Sequence, residues 1–315
     1  MPSHMKAAVI RQFGTASVLQ LEQVPCPLAG QDEVLVKVHA AGINPIDFKT
    51  RMGTGINRGW KDIRFPLILG WDISGIVVES RSPRFRPGDP VFSLARFPAI
   101  GGAYAEYAAV PAADLALKPQ SLDHIHAAAT PLAALTAWQA LFDNAGLSSG
   151  QTVLIHAAAG GVGHLAVQLA KRAGATVIAT ASARNREFVL SLGADQFIDY
   201  SGTRFEEHVR DVDVVFHTIG ADYRPRSWSV LRKGGWLVSI TGQMPDDEPA
   251  KFGSKGKFVT VKPSGMQLEK IAGMIDEGSL RISVEQVYPI ADIARAHEHV
   301  EQGRTRGKVV VSLDA

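Results

Sequence analysis

A glycine-rich turn offers the clearest chemistry in the sequence. The stretch HAAAGGVGHLAVQLAK, residues 156–171, follows the apolar run TVLI and opens an amphipathic segment. Against the dinucleotide pattern G-x-G-x-x-G its positions are Ala158, Gly160 and Gly163. Such glycines let the backbone approach a pyrophosphate, and the helix N-terminus supplies N–H donors and partial positive charge. Strand, turn, helix and next strand are all in place, so we predict a dinucleotide site rather than a plain helix-packing turn, although Ala158 replaces the first glycine.

The end of the second strand indicates which dinucleotide is bound. The strand TVIATA ends at Ala181, where an NAD site would carry an acid, and Ser182, Arg184 and Arg186 follow. A hydroxyl and a guanidinium bind the 2′-phosphate that an acid would repel. We therefore predict NADP(H). In the alternative interpretation, Arg184 and Arg186 are solvated charges at a helix start.

Motifs for other kinds of chemistry are missing from the sequence. It contains no H-E-x-x-H, no G-x-S-x-G and one cysteine, and the histidines of HEH (297–299) lie about 200° apart on a helix, so they share no metal from one face. A nicotinamide moves hydride. Without a metal to polarise a carbonyl, hydride addition to a polarised C=C bond or to a quinone needs less help than alcohol–ketone exchange.

The elements that must position these groups change character along the chain. The first 120 or so residues are rich in short β segments separated by Gly and Pro, as in a sheet or Greek-key barrel. From about residue 150, six strand candidates alternate with helix candidates, which predicts a doubly wound parallel sheet. The last 50 residues alternate helix, strand, helix and strand, and periodicity alone does not decide which domain they join.

Composition narrows the class of protein. A length of 315 residues favours two domains, and 46% hydrophobic with 20% charged residues is typical of a globular enzyme. A net charge of +2 gives no support for nucleic-acid or membrane binding. The N-terminus has no signal-peptide pattern, and the longest apolar stretch is too interrupted to span a membrane. The lone Cys26 excludes an intrachain disulfide and a cysteine zinc cluster and suits a reducing compartment, so we expect a cytoplasmic protein.

Several segments together resemble a known family. They are AAGINPIDFKTRMG, FPLILGWDISGIV, GGAYAEY, ATPLAALTAWQAL, AAAGGVGHLAVQLAK and RGKVVV. In this order they resemble the medium-chain dehydrogenase/reductase superfamily, most of all its zinc-free quinone oxidoreductase (zeta-crystallin-like) branch. The resemblance implies an α/β protein with a GroES-like β-rich catalytic domain (1–125), a Rossmann NADP(H)-binding domain (126–263) and a C-terminal segment (264–315) returning to the first. It also implies a homodimer.

The resemblance assigns roles to individual residues. Asn44 and Asp47 would be catalytic, lining or bracing the cleft near the nicotinamide. The implied cofactor-binding residues are Asn44, Thr130, Thr136, Ala159, Gly160, Gly161, Val162, Gly163, Ser182, Arg184, Tyr200, Thr218, Ile219, Gly242, Gln243, Phe258 and Val259. For each of them plain packing is the alternative.

Two departures from related enzymes bear on mechanism. Zinc-dependent superfamily members have a cysteine where this chain has Asn44 and a histidine where it has Trp71, so no metal site is expected. Several C=C reductases carry a tyrosine as proton donor in the segment corresponding to RMGTGINRGWKDIRF, which contains none. The proton could then come from water or the ribose hydroxyl.

The sequence as a whole favours an NADPH-dependent, zinc-free reductase of quinones or α,β-unsaturated carbonyl compounds. Asn44 and backbone donors would support the developing enolate or quinol oxygen. Two alternatives stay open: a metal-free carbonyl or alcohol oxidoreductase, and a non-catalytic NADPH-binding protein.

Overall fold

A computed structural model describes residues 2–314. The chain forms two compact units, one made of residues up to 135 together with those from 262 onward, and one made of residues 136–261. The boundaries expected from the sequence lie after residues 125 and 263. The residues from 262 onward belong to the first unit.

The strands, in chain order, are β1 (His4–Ile10), β2 (Gln20–Pro25), β3 (Glu33–Ile43), β4 (Leu67–Ile68), β5 (Asp72–Ser80), β6 (Pro90–Leu94), β7 (Tyr107–Pro111), β8 (Leu115–Leu117), β9 (Thr152–Ile155), β10 (Thr176–Ala181), β11 (Gln196–Asp199), β12 (Val212–His217), β13 (Leu231–Ser239), β14 (Lys255–Phe258), β15 (Val284–Pro289) and β16 (Lys308–Ser312). The α-helices are α1 (Pro45–Arg51), α2 (His124–Ala128), α3 (Pro131–Trp138), α4 (Gly163–Arg172), α5 (Arg186–Ser191), α6 (Arg224–Trp228), α7 (Glu248–Lys251), α8 (Gly265–Asp276) and α9 (Ile293–Glu301).

The first unit is built around β3. A seven-stranded sheet has the order β15-β16-β3-β5-β6-β8, with β7 also pairing with β3, and a second sheet has the order β2-β1-β4. Strand β3 pairs antiparallel with β5, β7 and β16. Its alternate residues Val34, Val36 and Val38 are buried in the core of this unit, as the period of two in a strand requires. The β-rich first part predicted from the sequence is confirmed.

The second unit is a parallel sheet with the order β11-β10-β9-β12-β13-β14. The chain runs outward from β9 to β11 and then returns to β12 on the other side of β9, so the strand order reverses between β9 and β12. In such sheets ligands bind outside the carboxyl ends of the strands at this reversal. The predicted doubly wound sheet and its six strands are confirmed.

The sequence pattern predicts helices over TRFEEHVRD and YRPRSWSVLRKG in the second unit; the first prediction is wrong, and the second helix is shorter than predicted. The segment TRFEEHVRD forms only a single 3₁₀ turn, Phe205–Glu207, because its few apolar residues make no stripe long enough to hold a helix on the sheet. In YRPRSWSVLRKG the helix ends at Trp228, and Leu231 already begins β13. In the second segment the pairing of Leu231 with Val212 overrides local helix propensity.

Candidate active site

The glycine turn follows β9 and begins α4 in the second unit. At the start of α4 the His164 N–H donates to the Gly160 carbonyl and the Ala166 N–H to the Val162 carbonyl, both at 3.0 Å, and the positive end of the helix dipole favours an anion here. Gly163 is buried, and a Cβ placed on it would collide with the carbonyl oxygen of Ala157 and lie 2.8 Å from the Cα of Ala158. At Gly160 a Cβ would lie 3.3 Å from the same carbonyl. The residue that takes the left-handed conformation is Ala157 (φ +47°), whereas the N–H of Ala158 donates to the carbonyl of Thr180 at 2.9 Å.

The sheet brings the other predicted cofactor residues of the second unit to the same edge as the turn. Apart from Thr136, which lies in α3, they stand at or just beyond the carboxyl ends of parallel strands. Ser182 and Arg184 follow β10, Tyr200 follows β11, Thr218 and Ile219 follow β12, Gly242 and Gln243 follow β13, and Phe258 and Val259 end or follow β14. The parallel sheet therefore collects side chains that are up to 100 residues apart in sequence.

The end of β10 carries no carboxylate of its own. Ser182 directly follows the strand, Arg184 lies on the 3₁₀ turn Ala183–Asn185, and Tyr200 is 59% exposed on the neighbouring strand end. On the neighbouring strand Asp199 lies opposite Ala181, and hydrogen bonds from Ser201 and from the Ala183 backbone lower its pKa. That carboxylate is already committed to the local backbone, and it fixes the turn on which Arg184 sits.

Two histidines missed by the sequence reasoning form a buried network beside the turn. His156 Nε2 and His217 Nδ1 lie 3.0 and 3.1 Å from the Ser227 hydroxyl, and His156 Nδ1 lies 3.1 Å from the Thr180 hydroxyl. The Thr218 hydroxyl donates to the His156 carbonyl at 2.6 Å. Burial lowers the pKa of His156 to about 3 and that of His217 to about 4. The two rings are therefore neutral, and they join the ends of β9, β10 and β12 through hydrogen bonds.

In the first unit Asn44, Asp72 and Lys308 form a closed polar cluster. Asn44 Nδ2 donates to Asp72 Oδ2 at 2.9 Å, and Lys308 Nζ donates to Asn44 Oδ1 and, at 3.3 Å, to Asp72 Oδ2. Asp72 Oδ1 accepts the backbone N–H of Leu132 at 2.7 Å. Burial raises the pKa of Asp72, and the charge of Lys308 opposes that rise. All three side chains are almost completely buried.

Asp47 lies behind Asn44, in a second group of buried polar side chains. Its Oδ2 accepts the Asn44 backbone N–H at 2.6 Å, which fixes the start of α1. Burial raises the pKa of Asp47 to about 7, and the negative charge of Asp72 contributes to the rise. Tyr104 lies close to Asp47, and each group affects the pKa of the other. The Tyr104 hydroxyl has no hydrogen-bond partner within residues 2–314. Asp47 thus holds Asn44 in place and has no exposed surface.

The two predicted threonines belong to different units, and both are buried. Thr130 belongs to the first unit, where it is buried and its hydroxyl donates to the His126 carbonyl at 2.9 Å. Thr136 belongs to the second unit and is also buried. The hydroxyl of Thr130 is therefore used within the chain.

Stability should fall as the pH is lowered from 6.5 towards 4. Burial holds the pKa of His156, His217 and His297 at about 3, 4 and 3, below the ordinary 6.5. Below pH 6.5 the unfolded chain binds protons at these histidines and the folded chain does not. Each such proton lowers the free energy of unfolding by about 1.4 kcal/mol per pH unit. Asp47 acts in the opposite direction, because its folded pKa of about 7 exceeds the ordinary 3.8 and lets the folded chain keep a proton. Urea unfolding at pH 6.5, 5.5 and 4.5 measures the net slope.

The matched variant for this prediction is His297→Leu, because both ring nitrogens of His297 are buried without a hydrogen-bond partner among residues 2–314. It should flatten the acid slope by about one proton. An unfolding free energy that stays constant or rises between pH 6.5 and 4.5 in the wild type would contradict the assignment of neutral buried histidines.

Comparison with known proteins identifies the family. Residues 30–120 match the model for the alcohol dehydrogenase GroES-like domain, and residues 192–311 match the model for zinc-binding dehydrogenase. The chain is 36% identical over 323 residues to the 2-methylene-furan-3-one reductase of Solanum lycopersicum, covering 99% of this chain and 80% of that protein. The chain belongs to the medium-chain dehydrogenase/reductase superfamily, in its quinone oxidoreductase branch.

Further comparisons support this family assignment. The chain is 37% identical over 323 residues to the chloroplastic NADPH-dependent alkenal/one oxidoreductase of Arabidopsis thaliana, again with coverage of 99% and 80%. Among solved structures, the quinone oxidoreductase from Coxiella burnetii superposes with a TM-score of 0.91 at 37% identity, covering 98% of this chain and 99% of that one. The chain is therefore an oxidoreductase, and the fold class expected from the resemblance is confirmed.

In this superfamily member the two positions that bind zinc in zinc-dependent relatives have other partners. Asn44 is bound to Asp72 and Lys308, and the Trp71 indole N–H donates to the Ala99 carbonyl at 2.7 Å. Across residues 2–314, no group of three or more His, Cys, Asp or Glu residues is placed to hold a metal ion. Within the same residues, no helix is long and apolar enough to cross a membrane.

The sequence reasoning missed Asp72 and Lys308 as site residues. Each stands as a single charge beside an apolar strand, in GWDISG and in GKVVVSL. Charged residues are almost never fully buried unless they are paired, so a lone charge next to a buried strand was the available signal. The partner itself was not readable, because Asp72 and Lys308 are 236 residues apart.

Proposed function

We propose that this oxidoreductase is an NADPH-dependent, zinc-free reductase of quinones or α,β-unsaturated carbonyl compounds. The observation that carries the proposal is the carboxyl edge of the second unit's sheet, which holds a turn that leaves no room for a side chain at Gly163 and a β10 end that lacks an acid. The names of the relatives at 36% and 37% identity support the substrate class.

The residues at this edge suit NADPH. Gly160 would let the backbone approach the pyrophosphate, Gly163 lets α4 pack closely on the turn, and the N-terminus of α4 would hold the negative charge. Ser182 and Arg184 would bind the 2′-phosphate through charge-assisted hydrogen bonds, with Tyr200 beside them. When bound, NADPH supplies a hydride to the β-carbon of an enone or to a quinone.

The first unit would stabilise the charge that develops on the substrate oxygen. An amide N–H of Asn44 is a donor of the kind that stabilises an enolate or quinol oxygen in a site from which water is excluded. Asp47 would hold the Asn44 backbone, and Asp72 with Lys308 would hold its side chain. These residues would thus hold the uncharged Asn44 amide in position to donate to the substrate oxygen.

The test is a spectrophotometric assay at 340 nm with NADPH or NADH and a panel of quinones, enones, enals, ketones and aldehydes. Oxidation of NADPH by quinones or enones, with no saturated ketone or aldehyde reduced, supports the proposal. Reduction of saturated carbonyls only would favour the carbonyl reductase alternative. Tight NADPH binding without turnover of any acceptor would favour the non-catalytic one.

Replacing Arg184 should separate the two dinucleotides. Arg184→Ala removes a guanidinium from the 2′-phosphate, and a charge-assisted bond contributes roughly 1.5–3 kcal/mol. At 1.4 kcal/mol per tenfold change, NADPH binding should weaken about 10- to 150-fold. NADH has no phosphate to lose, so its affinity should stay within about twofold of wild type. Titration of both dinucleotides by fluorescence measures the two constants.

The matched control is Arg186→Ala in the same loop. The Arg186 guanidinium lies over the Phe197 ring at 5.4 Å, an interaction that supports α5. This variant should leave the ratio of the two affinities unchanged. If Arg184→Ala weakens the binding of both dinucleotides equally, Arg184 supports only the fold, and the NADPH preference loses its main residue.

The homodimer and the cytoplasmic location stay predictions.

A further inference from the structure

Lys308 is a buried charge brought to Asn44 by strand pairing. Strand β16 runs antiparallel to β3, with Val309 opposite Ile43, so Lys308 at the start of β16 lies beside the residue that follows β3. Lys308 is 3% exposed and Asp72 0%. Burying two charges is unfavourable unless the geometry is good, and replacing such pairs by apolar residues is often neutral or stabilising. Stability alone therefore gives no reason for this pair.

The contacts of the cluster fix the orientation of the Asn44 amide. An ammonium has three donors and no acceptor, so Lys308 can bind only the Oδ1 end of the amide. Asp72 receives N–H groups from Asn44, Lys308 and Leu132, so it acts as an acceptor and binds only the Nδ2 end. With these two partners in place, a flipped amide would face a donor with a donor and an acceptor with an acceptor.

This arrangement has an electronic consequence as well. A cation bound to the amide oxygen polarises the amide. Its N–H groups then become stronger hydrogen-bond donors, as in other hydrogen-bonded chains. The Nδ2 group carries two hydrogens, and the bond to Asp72 uses one of them. The second is the donor that the proposed function assigns to the substrate oxygen.

We propose that Lys308 is a positioning residue for the reduction: it fixes the orientation of the Asn44 amide and strengthens the N–H that Asn44 offers to the substrate oxygen. This inference rests on the proposed function, because it requires Asn44 to act as that donor. Lys308 itself acts only through Asn44.

A double-mutant cycle tests the inference. Lys308→Met should lower kcat about tenfold or more, since small errors in the position of a catalytic donor reduce rates by one to two decades. NADPH affinity should be unchanged. In an Asn44→Ala background, Lys308→Met should have no further effect on kcat, because the residue through which it acts is gone. Equal losses in both backgrounds, or no loss in the wild-type background, would overturn the proposal. Lys37→Met, an exposed lysine on β3, is the control for loss of a charge.

Lys308→Met leaves the Asp72 carboxylate buried without its cation, so this variant is at risk of not folding. A second pair of variants tests the proposal without that buried charge. Asp72→Asn combined with Lys308→Met removes both charges, and Asp72→Asn alone is its reference. The combined variant should have a kcat about tenfold below that reference. A kcat equal to the reference means that the ammonium has no role in catalysis.

Side-chain NMR separates this inference from the proposed function. In the ligand-free protein the Asn44 Nδ2 resonances, identified by their loss in Asn44→Ala, should shift or broaden in Lys308→Met and stay in place in Lys37→Met. Unchanged resonances mean that Lys308 does not position the amide, whatever the enzyme reduces. If the resonances shift but Asn44→Ala keeps wild-type kcat, the role of Asn44 in the proposed function fails, and the catalytic role of Lys308 falls with it.

Discussion

Gly163→Ala should weaken the binding of NADPH and of NADH alike, by about 100-fold or more. The new Cβ would collide with the Ala157 carbonyl and press against the Ala158 Cα at 2.8 Å, and both are backbone groups that cannot rotate away. Overpacking of this kind lowers the free energy of unfolding by roughly 1–3 kcal/mol, and each charge-assisted bond lost at the pyrophosphate lowers the binding free energy by roughly 1.5–3 kcal/mol. At 1.4 kcal/mol per decade, the loss of two such bonds is about two to four decades in affinity. Fluorescence titration with each dinucleotide measures the loss.

Gly160→Ala is the matched comparison for this prediction. Its Cβ would lie 3.3 Å from the Ala157 carbonyl, a contact that a small shift relieves, so the thermal unfolding midpoint should stay near that of the wild type. Binding of both dinucleotides should nevertheless weaken, because the added methyl group occupies the approach to the pyrophosphate. Gly163→Ala should lower the midpoint as well. Wild-type affinities in both variants would show that the turn does not hold the dinucleotide.

Asn44→Ala should lower kcat by about 100- to 1000-fold and should weaken NADPH binding much less. Loss of one donor to a developing oxyanion has effects of this size, and they appear in the transition state rather than in the ground state. The variant also removes a partner from Asp72 and from Lys308, so it will be less stable. Steady-state kinetics with a quinone or an enone, at a temperature well below the unfolding midpoint of the variant, separates the two effects.

Ser74→Ala is the control for Asn44→Ala. Ser74 is a fully buried residue of β5 whose hydroxyl donates to the Val91 carbonyl at 3.0 Å. Its loss should reduce stability without reducing kcat. A wild-type kcat in Asn44→Ala would mean that the amide serves the fold, and that the substrate oxygen is held by other donors.

The sequence by itself determined the dinucleotide half of this protein well. Apolar runs such as TVLI and VDVVFH alternate with helical segments, and this local pattern predicted the parallel sheet, its six strands and the position of the glycine turn. The carboxyl ends of parallel strands share one edge of a sheet. The choice of Tyr200 and Thr218 at that edge came from the resemblance to the family and not from the strand pattern. The segment TRFEEHVRD was mispredicted, because propensity in a short polar connection is weaker than the pairing of the strands around it.

Only the tertiary structure decided which polar groups are partners. Asn44, Asp72 and Lys308 come from distant parts of the chain and meet because β16 pairs with β3, and β3 with β5. The same holds for Ser227, which joins His156 and His217. Periodicity reports which residues are buried, but it does not report which strands become neighbours. A buried carboxylate or imidazole depends for its protonation on the groups that folding places around it, and for this reason the protonation of Asp47, Asp72 and the buried histidines could not be read from the sequence.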